Sequence, residues 1–407
     1  MNTFELTEKY VLGNYGRFPI SFTKGEGCWI EDEDGKRYLD FGSGIAVCSL
    51  GHAPECIQKA LREQSAELIH CSNLYHIPQQ AELAEFIVEK IVKLPGKVFF
   101  GNSGAEANDG AVKLARKFFY DRDGNNDRFE VITCRDSFHG RTLGGIAATG
   151  QDKVKIGFDP LLPGFHHVPF NDCEALRSAV TENTAAILFE PIQGEGGINI
   201  ATPEFLQTAA ELRQEFGVLI MFDEVQCGFG RTGDWCGWRS ISEGIEPDVV
   251  TWAKGMAGGF PMGAIWISDR CAGALGPGTH GSTFGGTPLG SAVALSVVRE
   301  IEDQKLIEKI PALETKIRDR VSQWNFDQIS GIRGQGLMLG FTLNQKAFEN
   351  AEPSASNFLV KELMKEGLLT VPAGPGVVRW LPPLNVSEME IEKALELTET
   401  VLTRLSS

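Results

Sequence analysis

Through its middle, the chain alternates short apolar runs with stretches of helical periodicity, and few folds tolerate that rhythm. Runs suited to strands fall at residues 97–100, 130–133, 185–190, 218–223, 248–252 and 264–267. Between two of them lies an amphipathic helix. Thr202 offers an N-cap, Pro203 suits the first helical position, and Phe205, Leu206, Ala209, Leu212 and Phe216 share one face. Strand and helix signals in alternation predict an α/β architecture. At 407 residues the chain exceeds one core, so more than one domain is expected. Near residue 300 the character changes. Helical patterns at 305–324, 355–365 and 387–405 surround strand-like runs at 337–343 and 377–381, which reads as a smaller α+β domain. Residues 28–31 and 37–41 flank the turn Asp32-Glu33-Asp34-Gly35 as a hairpin able to pack with either part. The expected division is a segment 1–50, a large domain 51–300 and a C-terminal domain 301–407.

Composition removes several classes of function. A formal net charge of −16 with no Lys/Arg cluster disfavours nucleic acid and anionic membranes as partners. No apolar run approaches the roughly 20 residues that span a bilayer, and the N-terminus lacks the pattern of a signal peptide. The nine cysteines are scattered without a Cys-x-x-Cys pair, so reduced thiols, no metal site and a cytoplasmic location are expected.

Two strand ends carry the chemistry. The run 218–223 ends in Asp223-Glu224-Val225-Gln226, and 248–252 leads to Lys254-Gly255. Open α/β sheets place ligands at such carboxyl ends. Taken singly, an acidic turn or a strand-end lysine is commonly a solvated surface feature; the pair is more informative. A lysine amine can hold an aldehyde cofactor covalently and then carry protons once substrate displaces it. A pyridine ring works as an electron sink only with its nitrogen protonated, which calls for a carboxylate partner. At ~4 Å and an effective dielectric near ~20 that pair is worth roughly 4 kcal/mol. This is about three pKa units, enough to keep the proton at neutral pH. Asp223 is the candidate. An anion site is expected at Ser103-Gly104-Ala105, where an apolar strand runs into an Ala-rich helix whose first N–H groups are free. The plainer reading of that stretch is an ordinary capped helix.

At this point the residues resemble a known family, the class III pyridoxal-phosphate aminotransferases. The matching stretches are 44–47, 72–75, 102–108, Phe138-His139-Gly140-Arg141 and on to 144, 190–197, 222–226, 228–233, 253–255, 280–286, 333–338 and 379–383. They occur in family order over nearly the whole chain. The resemblance implies the type I aminotransferase fold: a large domain with a mostly parallel seven-stranded sheet, and a small α+β domain built from both chain ends, so that residues 1–50 join it. It implies pyridoxal 5′-phosphate as cofactor, held by Lys254, with Asp223 on the ring nitrogen, Gln226 on the phenolic oxygen and Phe138 stacked on the ring. Ser103, Gly104 and Ala105 bind the phosphate in this reading, and Glu224 and Val225 are among the cofactor contacts. Thr283 is implied to reach the phosphate from a second subunit, hence a homodimer.

For substrate, the resemblance is strongest to members acting on N2-acetylornithine with 2-oxoglutarate, a ping-pong reaction of arginine biosynthesis. It assigns the donor's α-carboxylate to Arg141 with Ser282 nearby. The α-carboxylate of glutamate goes to Arg379, with Glu195 covering Arg379 in the first half-reaction. Planar guanidinium groups suit both tasks because they bind carboxylates bidentately. The chain departs from the family after His52, where His52-Ala53-Pro54 is one residue short, and at Tyr75-His76-Ile77-Pro78. Alternatives are an aminotransferase for ornithine, succinylornithine, 4-aminobutyrate or an acylated lysine, a pyridoxal-phosphate aminomutase, or a binding protein without catalysis.

Overall fold

In the computed structural model, which describes residues 1–349 and 351–406, the apolar runs form one seven-stranded sheet. Its order is Gly96–Gly101, Gly263–Ser268, Val249–Trp252, Leu219–Asp223, Thr184–Phe189, Glu130–Cys134, Phe165–Val168. Gly263–Ser268 runs antiparallel to both neighbours, and the other pairings are parallel. Every residue of Thr184–Phe189, Leu219–Asp223 and Val249–Trp252 is buried. Strands covered on both faces have no solvent side to mark, so their sequences are unbroken apolar runs. The edge strand Phe165–Val168 was not expected from the sequence. Its His166 and His167 give neither alternation nor an apolar run.

Alternate residues of these strands point to opposite faces, and each face has its own helix. Ala107, Ala111 and Ala115 of helix Gly104–Asp123 share a core with Val131, Leu188, Leu219 and Met221. Phe205, Leu206 and Leu212 of helix Pro203–Phe216 pack with Ile187, Phe189, Ile220 and Phe222 on the other side. That helix begins as expected: Thr202 Oγ1 accepts from Phe205 N at 3.2 Å, Pro203 opens the first turn, and Gly217 closes it at φ 69°.

A further core joins the two ends of the chain, with Leu39 and Phe41 against Phe341, Trp380 and Ile391. The N-terminal hairpin forms from Trp29–Asp32 and Arg37–Asp40, and Leu368 pairs in parallel with Leu39. Four more strands, Ile329–Gln335, Met338–Leu343, Val377–Trp380 and Val371–Pro372, make a separate sheet. Helix Pro288–Asp303 belongs to two cores at once. Ala294, Leu295 and Val298 face the large sheet, while Val293, Val297 and Ile301 face the terminal core. Among the described residues no helix is long and apolar enough to cross a membrane, and no group of His, Cys, Asp and Glu has the arrangement of a metal site.

Candidate active site

Asp223 and Lys254 meet because their strands are neighbours in register. Asp223 pairs with Thr251 in the parallel ladder, so both chains leave the sheet at the same carboxyl edge. Both residues line a cavity of about 260 Å³, together with Gly104, Ala105, Phe138, Arg141, Glu195, Val225 and Gln226.

Asp223 is 3% exposed and held by donors from three parts of the chain. Its Oδ2 accepts from Asn108 Nδ2 at 2.7 Å and lies 2.8 Å from His139 Nδ1, and its Oδ1 accepts from Val225 N at 3.0 Å. Asn108 is itself pinned, donating to His139 O and accepting from Thr251 Oγ1 at 2.7 Å. A carboxylate offers about four lone-pair positions, and three are taken. One remains for a further donor.

Lys254 lies in the left-handed region at φ 43°, a strained conformation for a side-chain-bearing residue. Among the described residues no hydrogen bond or ion pair engages its Nζ. Burial lowers its pKa, and Arg379 adds to that effect against the opposing charges of Glu195 and Asp223. The amine is thereby biased toward the neutral, nucleophilic form.

Arg379 comes from strand Val377–Trp380 and is fully buried. Its Nη1 donates to Gln226 Oε1 at 2.6 Å, Glu195 Oε1 at 2.8 Å and Gly194 O at 2.9 Å, while its Nε has no partner. Burial raises the pKa of Glu195, but the charge and hydrogen bond of Arg379 outweigh it and the net shift is downward. Arg141 is the opposite case. It is exposed, and its guanidinium lies 5.4 Å from the ring centroid of Phe138 with no carboxylate partner among the described residues.

Some expected residues stand elsewhere. The Glu224 side chain points away from the cavity, accepting from Trp238 N at 2.7 Å and Trp252 Nε1 at 3.4 Å. Its carboxyl is buried and outside the cavity lining, because consecutive residues leaving a strand face opposite ways. Ser103 caps helix Gly104–Asp123 through Glu106 N and does not line the cavity. Ser282 accepts from Asn102 Nδ2 at 3.0 Å, and Thr283 is exposed; neither lines the cavity of its own chain. Sequence reasoning missed the role of Asn108. For Asn108 a signal existed, since a polar residue interrupts the small-residue face Ala107, Ala111, Ala115. Glu190 was also passed over. Burial raises its pKa to about 7, and its carboxylate accepts from Phe138 N and Gly194 N.

This arrangement provides a half-buried amine of lowered pKa, a buried carboxylate with one free position, and two guanidinium groups, one buried and one exposed. A family model described as Aminotransferase class-III matches residues 10–402. The chain belongs to the class III aminotransferases. Acetylornithine aminotransferase from Gloeobacter violaceus is 45% identical across 100% of this chain and 98% of its own length. The protein of that name from Caldanaerobacter subterraneus is 44% identical, with 100% of both covered. Among solved structures, acetylornithine aminotransferase from Elizabethkingia anophelis superposes with a TM-score of 0.86 at 31% identity, covering 98% of each chain. Ornithine aminotransferase from Toxoplasma gondii gives 0.92 at 30% identity, covering 99% of this chain and 94% of its own. As a class III aminotransferase, the protein has the α/β fold of these enzymes.

Proposed function

We propose that this aminotransferase binds pyridoxal 5′-phosphate at Lys254 and moves the terminal amine of N2-acetylornithine to 2-oxoglutarate. The products are N-acetylglutamate 5-semialdehyde and glutamate, as in arginine biosynthesis. The observation that carries the reading is one cavity lined by Lys254, Asp223 and Glu195, with Glu195 bonded to the buried Arg379.

The residues fit the cofactor. Helix Gly104–Asp123 opens with Ser103 satisfying the N–H of Glu106, which leaves those of Gly104 and Ala105 for a phosphate. A Cβ at position 104 would come within 2.8 Å of Val225, so the close approach there requires glycine. The free lone pair of Asp223 suits the N–H of a protonated pyridine. When bound, the cofactor supplies an aldehyde to capture the donor amine and a ring to take up electrons. Asp223 keeps the ring proton in place, Phe138 covers the ring, and Gln226 uses its Nε2 for the phenolic oxygen. Lys254 moves a proton on and off the δ-carbon of acetylornithine, and later the α-carbon of glutamate. Arg141 takes the far carboxylate of the donor. Glu195 neutralises Arg379 during that half-reaction and releases it when the 2-oxo acid needs a clamp.

The proposal includes a homodimer in which Thr283 of the partner subunit reaches the phosphate. Exposed Leu74, Tyr75 and Phe284 support it, since Asn73 Nδ2 bonds Ser282 O and Gly285 O and draws these apolar side chains into one patch. A cytoplasmic location is supported by nine unpaired cysteines. Residues 1–50 with 301–407 as one unit, and 51–300 as the cofactor-binding unit, is supported by the pairing of Leu39 with Leu368.

Ornithine is the second reading, favoured by the likeness to the Toxoplasma gondii ornithine aminotransferase. The test is kcat/KM for a panel of amine donors with 2-oxoglutarate. Acetylornithine is expected to exceed ornithine and 4-aminobutyrate by roughly tenfold or more, the scale of one pocket contact. Ornithine ahead of acetylornithine replaces the donor. Turnover that needs no 2-oxoglutarate replaces amino transfer with an internal shift.

A further inference from the structure

A second cavity, about 870 Å³ against about 260 Å³ for the catalytic one, opens at the edge strand Phe165–Val168. Its walls include Arg135, which follows strand Glu130–Cys134, and Lys153 and Lys155 from the turn after Gly150. In a chain of net charge −16, Arg135, Lys153 and Lys155 outnumber the carboxylates of Asp136 and Asp152 around this concavity and leave it with an excess of positive charge.

These cations are not engaged as cations usually are. Among the described residues no carboxylate lies within ion-pair distance of Arg135, Lys153 or Lys155. The one side-chain contact is Lys155 Nζ to His167 Nε2 at 3.4 Å, and that imidazole also meets Ala148 O at 3.2 Å. Burial, and after it the charge of Lys155, push His167 down to about 4, so the ring is neutral and shares none of the charge. His166 is turned toward Glu130, 3.3 Å away. Asp136 and Asp152 also line the cavity, yet neither closes on the cations. Cations without an internal ion pair can each give donors to an oxygen-rich anion without first breaking such a pair.

We propose that this cavity binds a compact small-molecule anion of two or more negative charges, a phosphate ester or a polycarboxylate, on Arg135, Lys153 and Lys155. The site is separate from the catalytic one but next to it along the chain. Arg135 stands three residues before Phe138, and the intervening Ser137 and Asp136 are tied to the Gly150 turn through Gly150 N to Ser137 Oγ and Asp136 N to Gly150 O. An occupant therefore bears on the segment that carries Phe138 and His139.

The test uses the cofactor-loaded enzyme, so that the catalytic phosphate position is already filled, and titrates it calorimetrically with inorganic pyrophosphate and, separately, citrate. One saturable site per chain is expected for at least one probe, weakened by added salt. Tighter pyrophosphate marks a phosphorylated ligand, and tighter citrate a polycarboxylate. Arg135→Gln and Lys153→Gln are each expected to weaken binding roughly tenfold or more, the scale of one charge-assisted hydrogen bond. Asp152→Asn is expected to tighten it by removing a like charge. Thermal midpoints should match the parent, which keeps folding out of the comparison. Absence of saturable binding by both probes, or binding unchanged in both the Arg135 and Lys153 variants, overturns the proposal.

Discussion

The floor and the rim of the catalytic cavity are built by different rules. On the floor, Thr251, Asn108, Asp223 and His139 form a chain of contacts of 2.7–2.8 Å between a strand, a helix, a second strand end and a loop. Each member is buried, so losing one partner would strand a polar group out of water, and the geometry has little freedom. At the rim, Arg141 is exposed over the ring of Phe138 with no carboxylate partner among the described residues, and Thr283 is exposed outside the lining of its own chain's cavity. Arg379 belongs to both, buried like the floor but bonded to Glu195, a residue 29% exposed at its side chain. The contrast separates two tasks. In the proposed reaction, proton handling would rest on groups set before substrate arrives, and choice of substrate on groups that exchange partners.

Removing the floor's reactive group should have the largest effect. Lys254→Ala is expected to lower turnover by roughly 10⁴-fold or more, the upper range for a positioned acid–base group. Absorbance of the bound cofactor should persist in the variant. Turnover within tenfold of the parent would remove Lys254 from the chemistry.

The rim should split by half-reaction. Arg379→Lys keeps the charge but loses the planar fork. It is expected to raise KM for 2-oxoglutarate roughly tenfold or more while changing that of the donor little. Arg141→Gln should do the reverse, raising KM for acetylornithine. Single-turnover measurements of each half-reaction check the crossing; equal effects on both halves would erase the distinction between the two arginines.

The effect furthest from turnover concerns stability. Burial raises Glu224 from 4.5 to about 7. Between those values the native state binds more protons than the unfolded one, so stability falls as pH rises through that window and levels off above it. The share of Glu224 is roughly 3 kcal/mol at most. Glu224→Gln should therefore flatten denaturant-measured stability between about pH 5 and pH 8 without abolishing the slope, because Glu190 is shifted the same way. An unchanged slope would mean that Glu224 is already ionised without cost.

How much of this was legible depended on whether a signal was local. The strands at 218–223 and 248–252 announced themselves because full burial leaves an apolar run, and helix Pro203–Phe216 because its caps are neighbours in sequence. Phe165–Val168 escaped because an edge strand is half solvated, and Ile329–Gln335 because Gly331, Arg333 and Gly334 break any apolar pattern. The N-terminal helix Thr3–Tyr10 buries no residue and so has no stripe to read. In the cavity, Asp223 and Lys254 could be paired from their strand ends. The partners of Asp223 could not, since Asn108 and His139 lie 115 and 84 residues away in sequence. The direction of the Glu224 side chain was not legible either, because sequence adjacency to Asp223 hides the reversal at the end of a strand.

Helix Pro288–Asp303 has a consequence for how the protein comes apart. With Ala294 and Val298 in one core and Val293 and Val297 in the other, neither body can melt without uncovering a face of the same helix. Loss of the terminal sheet is thus coupled to loss of the sheet that carries Lys254. Heat or denaturant is therefore expected to act on the two as a single cooperative unit, with one transition seen for both rather than early loss of the smaller part.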